Sequence, residues 1–278
     1  MISLYCRHAF LSVLITVFSF AASAQGDLLI TPKRIVFDGA KKVEEINLAN
    51  IGKDTATYSI SFVQYKMDED GKFEPVTEDD STMRFAHKNL RFFPRTVTLA
   101  PNEAQSVKVQ VIKGNELTAG EYRSHLFFRS MPGKKPLGEE DSSKAKADTS
   151  ISIKITPVFG ISIPVIIRTG ETSVTSSFSD AKFSLEKQTE PVLNISLTRS
   201  GNISSYGDIS VSYIGADNKI TQVAYMKGLA VYLPNARRKL HIALAKVPGV
   251  DYHSGRLKIV YTDQSPRPQL LCETVLEL

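Results

Sequence analysis

Cysteine and tryptophan are scarce in this sequence, which has two cysteines and no tryptophan. Cys6 lies just before the first apolar segment, near the N-terminus. If export removes both, the remaining chain keeps only Cys272 and forms no internal disulfide. Such a secreted chain depends on a hydrophobic core for its stability. Cys272 lies in an apolar run without a nearby base, which is typical of a buried small hydrophobe. The lack of tryptophan disfavours a carbohydrate-binding aromatic platform, although tyrosines could form one.

Motifs for catalysis and metal binding are also missing. The sequence has no HExxH, no GxSxG and no glycine-rich phosphate loop. Its histidines show no metal-ligand spacing. The carboxylate runs at residues 78–80 and 139–141 are typical of solvated loops. We therefore expect no enzymatic activity, no cofactor and no metal site, while an active site assembled from distant residues stays open as an alternative.

The formal net charge is +5. The basic residues are scattered rather than gathered in one stripe, so we expect no nucleic-acid partner.

Residues 1–24 have the pattern of a secretory signal peptide. Arg7 and His8 form a short basic region, an apolar run of about 14 residues follows, and Ala22-Ser23-Ala24 is a small-x-small cleavage site. The run is shorter than the roughly 20 residues that span a bilayer as a helix. An uncleaved N-terminal anchor is the alternative. No later segment is apolar enough to predict a membrane span.

Alternation of apolar and polar residues dominates the rest of the chain, and no amphipathic helix is predicted. Turn signals separate many short segments of this kind, which is typical of β-sandwiches. We predict an all-β protein with strands near residues 28–37, 43–50, 57–66, 106–112, 123–128, 192–197, 208–213, 229–233, 239–244, 255–261 and 270–276.

The longest alternating segment covers residues 151–167, about 17 residues or roughly 55 Å when extended. One sandwich can bury its second half, which carries Ile161, Ile163, Val165 and Ile167. The first half then offers an exposed apolar row and an unpaired edge, and such edges invite pairing with another chain. This pattern favours β-augmentation of a partner protein. Pro157 removes one N–H donor from the row.

Two segments predict the organisation of the chain. Residues 132–148 are charged and rich in Gly, Pro and Ser, which predicts a mobile loop. The alternating pattern stops at Arg168-Thr169-Gly170, so we place a domain boundary there. The predicted parts are a signal peptide (1–24), an N-terminal domain (25–168) and a C-terminal domain (169–278).

Several motifs together resemble the periplasmic pilus chaperones of the chaperone–usher pathway, the PapD-like family. They are TPKRIVFDG (31–39), FFPRTVTLAPNEAQSVKV (92–109), LTAGEYRSHLFFRSMP (117–132), PVIIR (164–168) and LNISLTRSGNISSYGDISVSY (193–213). Their order covers nearly all of the chain after residue 24. The resemblance implies two immunoglobulin-like β-sandwich domains set at an angle, with a binding cleft between them.

The resemblance also implies functional residues. The donor strand, which completes the fold of an unfinished subunit, would use Ile151, Ile153, Ile155 and Phe159. Arg34 would bind the subunit's C-terminal carboxylate. The family's second cation, a lysine, falls on Pro164 here, so Arg95 or Arg168 is the expected replacement. The family's frequent disulfide in the second domain is absent.

These observations predict a periplasmic chaperone that binds pilus or surface-fibre subunits by donor-strand complementation and delivers them to an outer-membrane usher. The alternative is an envelope or extracellular β-sandwich protein that self-associates through its exposed strand. A hydrolase or carbohydrate-binding sandwich is a third class.

Overall fold

The computed structural model describes residues 28–39, 41–77, 80–131, 158–187 and 189–278. These residues form eighteen strands and two single-turn 3-10 helices, at His87–Asn89 and Gly114–Glu116. The strands are β1 (Leu28–Thr31), β2 (Ile35–Asp38), β3 (Val43–Asn50), β4 (Ala56–Val63), β5 (Tyr65–Met67), β6 (Phe73–Pro75), β7 (Leu90–Phe93), β8 (Thr96–Leu99), β9 (Ala104–Val111), β10 (Gly120–Met131), β11 (Gly160–Thr169), β12 (Val174–Glu186), β13 (Glu190–Gly201), β14 (Ser205–Ile214), β15 (Ile220–Val231), β16 (Arg237–Ala243), β17 (Arg256–Thr262) and β18 (Leu270–Glu277).

The first sandwich packs the sheet β1-β3-β9-β7 against the sheet β2-β11-β10-β4-β8. Neighbouring strands are antiparallel except β2 and β11, which run parallel. Alternate side chains point inward and form one apolar core, which includes Ile46, Leu48, Val107, Leu126 and Phe128. The period-2 pattern acts as expected in β9, where Val107, Val109 and Val111 are buried and the residues between them are exposed.

The second sandwich packs the sheet β12-β13-β16 against the sheet β15-β14-β17-β18. Its separate core includes Leu193, Leu197, Ile209, Leu257 and Tyr261. Two apolar cores within two sets of sheets confirm the predicted all-β class with two sandwiches. The boundary at residue 168 stays a prediction, and the predicted signal peptide (1–24) and loop (132–148) lie outside the described residues.

The predicted strand at residues 28–37 is in fact two strands in opposite sheets. β1 pairs with β3, whereas β2 pairs with β11. Pro32 lies between them and has no N–H to donate, so a ladder cannot continue through it. The chain crosses from one sheet to the other at this point, and Arg34 lies in the crossing segment.

The predicted burial of the long strand is correct at three positions and wrong at one. Ile163, Val165 and Ile167 are buried in the first core. Ile161 is 37 % exposed, because it lies before the segment that β2 covers. Ile166, on the opposite face, is fully buried against the second sandwich.

An apolar cluster joins the two sandwiches. It contains Met67 and Ile166 from the first sandwich and Ala230 and Tyr232 from the second. All four side chains are buried, so the contact excludes water at its centre. This packing fixes one wall of the space between the sandwiches.

The hairpin of β5 and β6 adds polar contacts to the same interface. The Asn235 amide donates to the Met67 carbonyl at 2.6 Å, and the Lys239 N–H donates to the Glu69 carbonyl at 2.7 Å. The Glu69 carboxylate also lies 3.1 Å from both Arg237 and Lys239. The hairpin lies between strands of the first sandwich in the sequence. It contacts the second sandwich through backbone and side-chain groups.

Candidate functional site

The edge of β11 is open where the strand begins. β10 pairs with the whole of Gly160–Thr169, whereas β2 pairs only with residues 165–168. Within the part of the chain that the structure describes, residues 160–164 therefore have a strand neighbour on one side only. Unpaired backbone groups at such an edge can hydrogen-bond to a strand of another chain.

Exposed apolar side chains accompany this open edge. Val158, Phe159 and Ile161 are 43 %, 51 % and 37 % exposed. The segment is held on its paired side, because Ser130 N–H donates to the Phe159 carbonyl at 2.8 Å and Phe159 N–H donates to Ser130 Oγ at 3.0 Å. A fixed backbone with exposed apolar side chains is suited to binding apolar pockets of a partner.

The predicted donor-strand residues are only partly described. Phe159 lies at the exposed start of the segment that leads into β11. Ile151, Ile153 and Ile155 lie outside the described residues. The role assigned to these four side chains stays a prediction.

Arg34 lines a cleft of about 1140 Å³ between the two sandwiches. Its guanidinium donates from Nη1 to the Tyr232 hydroxyl at 3.0 Å and lies 4.2 Å from the centroid of the Tyr206 ring. Both tyrosines belong to the second sandwich. Two aromatic contacts hold this half-buried cation in one orientation, and its remaining donors can bind an anion in the cleft.

The two proposed second cations lie elsewhere. The exposed Arg95 stacks on Phe92, with Cζ 5.2 Å from the ring centroid. Arg168 lies 3.1 Å from the buried Glu121 carboxylate and donates to the Ser204 carbonyl at 3.1 Å. Neither lines the cleft that holds Arg34. The structure therefore does not bring Arg95 or Arg168 together with Arg34, and Pro164 does line the cleft.

Arg123 is a buried cation that the sequence analysis did not single out. Only 4 % of the residue is exposed, and its Cζ lies 4.1 Å from the centroid of the Tyr232 ring. Nη2 donates to the Tyr65 carbonyl at 3.2 Å, while Nε and Nη1 have no hydrogen-bond partner among the described residues. Burial lowers the pKa of Arg123 to about 10. The available signal in the sequence was an arginine on the strand predicted at residues 123–128.

His125 lies directly opposite Pro164 in the β10–β11 ladder and lines the same cleft. Its ring packs edge-on against Tyr65 and Phe73, with centroids 5.3 and 5.6 Å away. Burial, and then the nearby charge of Arg123, lower the pKa of His125 to about 3. The imidazole is therefore neutral throughout the ordinary pH range.

We expect His125 to make stability fall with acid. Its pKa is lower in the folded than in the unfolded chain, so below pH about 6.5 the unfolded chain binds a proton that the folded chain rejects. The free energy of unfolding should fall by about 2 kcal/mol between pH ~6.5 and ~4.5 from this residue, with a slope that approaches about 1.4 kcal/mol per pH unit at the acidic end. Urea unfolding at these two pH values measures it.

In the variant His125→Gln, the free energy of unfolding should fall less between these two pH values, because the titrating imidazole is absent. His253→Gln is the matched control, because the His253 side chain is 80 % exposed beside Asp251. If His125→Gln and wild type lose equal stability on acidification, His125 is not buried as a neutral ring.

Reactive chemistry has little support among the described residues. No group of three or more His, Cys, Asp or Glu side chains there could hold a metal ion. Cys272 packs half-buried beside the second core, and burial raises the pKa of its thiol to about 11. This thiol stays protonated near neutral pH, where the thiolate would be the nucleophile. In the described part of the chain, no helix is long and apolar enough to cross a membrane.

No protein-family model and no curated protein matches the sequence. Solved structures do resemble the fold. The YadV chaperone has a TM-score of 0.45 and 12 % identity, covering 91 % of this chain and 100 % of that chain. The SafB chaperone with SafA pilin from Salmonella enterica has a TM-score of 0.44 and 10 % identity, covering 92 % and 99 %. The CsuC–CsuE chaperone–tip adhesion subunit complex of Acinetobacter baumannii has a TM-score of 0.43 and 13 % identity, covering 88 % and 97 %. This chain is similar in fold to these chaperones at low sequence identity.

Proposed function

We propose that this protein is a periplasmic chaperone that binds pilus or surface-fibre subunits by donor-strand complementation and delivers them to an outer-membrane usher. The observation that carries the proposal is the open edge of β11 at residues 160–164, which begins beside the cleft that holds Arg34. One wall of this cleft includes Ser162 and Pro164 of the same strand. A strand bound at the edge can therefore continue into the cleft.

The edge and the cleft would contribute different parts of the binding energy. Backbone hydrogen bonds along β11 give affinity that does not depend on the partner's sequence. Each apolar side chain that the partner buries fully adds about 1.5–3 kcal/mol before the costs of association. In this proposal the row begins at Ile151, Ile153 and Ile155 and ends at Phe159, and an incomplete sandwich in the subunit supplies the pockets.

Arg34 would fix the position of the bound subunit. A terminal carboxylate that reaches the cleft can accept charge-assisted hydrogen bonds from the guanidinium, and these are shorter and stronger than neutral ones. Tyr206 and Tyr232 already hold the guanidinium, so little side-chain freedom remains to be lost on binding. This arrangement would set the register of the paired strands.

The same open edge also supports the alternative, in which copies of this chain pair with one another. Val158, Phe159 and Ile161 would then be buried between copies. In that case the purified protein should form oligomers whose size increases with concentration. Size-exclusion chromatography at micromolar concentration therefore separates the two functions: a chaperone stays monomeric without its subunit, and a self-assembling protein does not.

The direct test is capture of fibre subunits by the tagged mature protein in the periplasm. Wild type should retain a small β-rich protein. We expect the variants Phe159→Asp and Ile153→Asp plus Ile155→Asp to retain at least about tenfold less, since each places a charge where an apolar group should be buried. Ile220→Asp is the matched control, because Ile220 is 68 % exposed on β15 of the second sandwich.

Either of two results would contradict the proposal. One is the absence of any subunit bound to folded wild-type protein. The other is equal loss of capture in the Ile220→Asp control, which would point to damaged folding rather than a missing donor strand. Circular dichroism of each variant checks that the fold is retained.

A further inference from the structure

The charges that line the cleft are all of one sign. Lys33, Arg34, Lys227 and Arg238 line it, and the described lining contains no carboxylate. The first two cations come from the segment between β1 and β2, whereas Lys227 lies on β15 and Arg238 on β16. The two walls of the cleft therefore carry positive charge from both sandwiches, and charges facing a shared cleft reinforce one another's field.

Nearby acidic groups neutralise this charge only in part. Asp208 interacts electrostatically with Lys227, but its oxygens already accept hydrogen bonds from the Tyr225 hydroxyl, the Gly228 N–H and the Gln264 amide. Asp68 acts on Arg238 from outside the lining. Among the described residues, no ion pair of 4 Å or less joins either aspartate to Lys227 or Arg238, and Glu69 pairs with Arg237 and Lys239, which flank Arg238 in the sequence.

Two polar side chains of the lining are only partly hydrogen-bonded. Arg238 donates from Nη1 to the Ala230 carbonyl at 2.9 Å, but its Nε has no partner among the described residues. His125 is 3 % exposed, lines the cleft, and has no described partner for Nδ1. Both atoms are buried, and buried polar atoms without partners are rare in folded proteins.

We propose that the cleft recognises an acidic segment of the partner protein, with Lys227 and Arg238 of the second sandwich binding side-chain carboxylates while Arg34 binds the chain terminus. The inference rests on the proposed function and names the chemistry of the partner's segment. β11 faces the cleft with Ser162 and Pro164, which carry no charge, and the opposite wall supplies Lys227 and Arg238. Tyr206, Tyr232 and Phe73 provide the apolar surface between the cations.

Fluorescence polarisation with synthetic peptides tests the inference. One peptide alternates Val and Thr and ends in a segment with two Glu residues and a free terminal carboxylate. The second has Gln in place of Glu, and the third has Glu with a terminal amide. We expect the Glu peptide to bind wild type about tenfold more tightly than the Gln peptide at low salt, and the difference to shrink as salt rises from about 0.02 M to about 0.5 M.

Substitutions of cleft residues test whether the preference for the Glu peptide over the Gln peptide arises in the cleft. Lys227→Gln should weaken binding of the Glu peptide about three- to fivefold and leave the Gln peptide unchanged. Arg238→Lys, which retains the charge, should keep the preference for Glu, whereas Arg238→Gln should reduce it. Lys187→Gln is the matched control, because the Lys187 side chain is 80 % exposed beside Glu190. It should bind both peptides as wild type does.

Equal binding of the Glu and Gln peptides by wild type would overturn the inference, as would an unchanged preference in Lys227→Gln. Failure to bind any of the three peptides, with folding intact by circular dichroism, would overturn it too. In these cases the proposed function would still be tested separately, by comparing subunit capture between wild type and the donor-strand variants. The two proposals therefore fail in distinguishable experiments.

Discussion

Glu121→Ala should destabilise the protein by about 3–5 kcal/mol, because it removes a buried carboxylate that joins the two sandwiches. The Glu121 side chain is 1 % exposed and lies 3.1 Å from the Nε of Arg168. Its oxygens also accept hydrogen bonds from the backbone N–H of Ser204, at 3.0 Å, and from the Ser204 hydroxyl. The variant leaves a cation and a backbone donor without their shared acceptor, and each unsatisfied buried group costs free energy.

Urea unfolding at neutral pH measures the effect. Glu45→Ala is the matched control, since Glu45 faces Lys108 at 3.8 Å and both side chains are more than half exposed. Such an exposed pair contributes about 0–1 kcal/mol. If the two variants lost equal stability, Glu121 would not act as a structural link. Separate unfolding of the two sandwiches in Glu121→Ala, in place of one transition, would strengthen the assignment.

Phe128→Ala should cost about 3–5 kcal/mol, because it opens a cavity in the first core. Phe128 is 1 % exposed on β10, which pairs with β4 on one side and β11 on the other. Its loss removes buried apolar area and leaves space that the two rigid neighbouring strands can fill only in part. The urea midpoint should fall with little change in the slope of the transition.

Phe93→Ala is the matched control for this substitution. It removes the same side chain from a position that is 75 % exposed at the end of β7. We expect a change within about 0.5 kcal/mol, as for most surface substitutions. Similar losses in both variants would contradict the assignment of Phe128 to the core.

The sequence predicts strands best where one face is regular. In β14, alternate residues are buried from Ser205 to Tyr213, and the strand predicted at residues 208–213 lies within it. β12 was missed because a bulge between Ser179 and Lys182 breaks its register. Its core-facing residues are Phe178, Ala181 and Phe183. The first two are three residues apart and the last two are two residues apart. Period-2 analysis cannot follow a strand through such a break.

Some residues of the candidate site could be predicted from the sequence, whereas others depend on contacts that the sequence does not show. The exposed position of Phe159 follows from the length of the alternating segment, and Arg34 was chosen from the motif resemblance. Arg95 and Arg168 do not lie beside Arg34, because Arg168 is bound to Glu121 and Arg95 stacks on Phe92. Charge and position in the sequence do not reveal which partner a side chain contacts.

The sequence by itself determined the all-β class, the two sets of strands and the apolar row that leads into β11, because alternation is a local property of the chain. The motif resemblance implied a cleft between the sandwiches, but only the tertiary structure decided which residues line it. Arg34 binds Tyr232 across 198 residues of sequence, and the buried Arg123 lies against the face of the same ring. The cations of the second sandwich face this cleft because Met67, Ile166, Ala230 and Tyr232 pack the two sandwiches together. Contacts between residues so far apart depend on how the sheets pack, and a periodic pattern along the chain does not encode that packing.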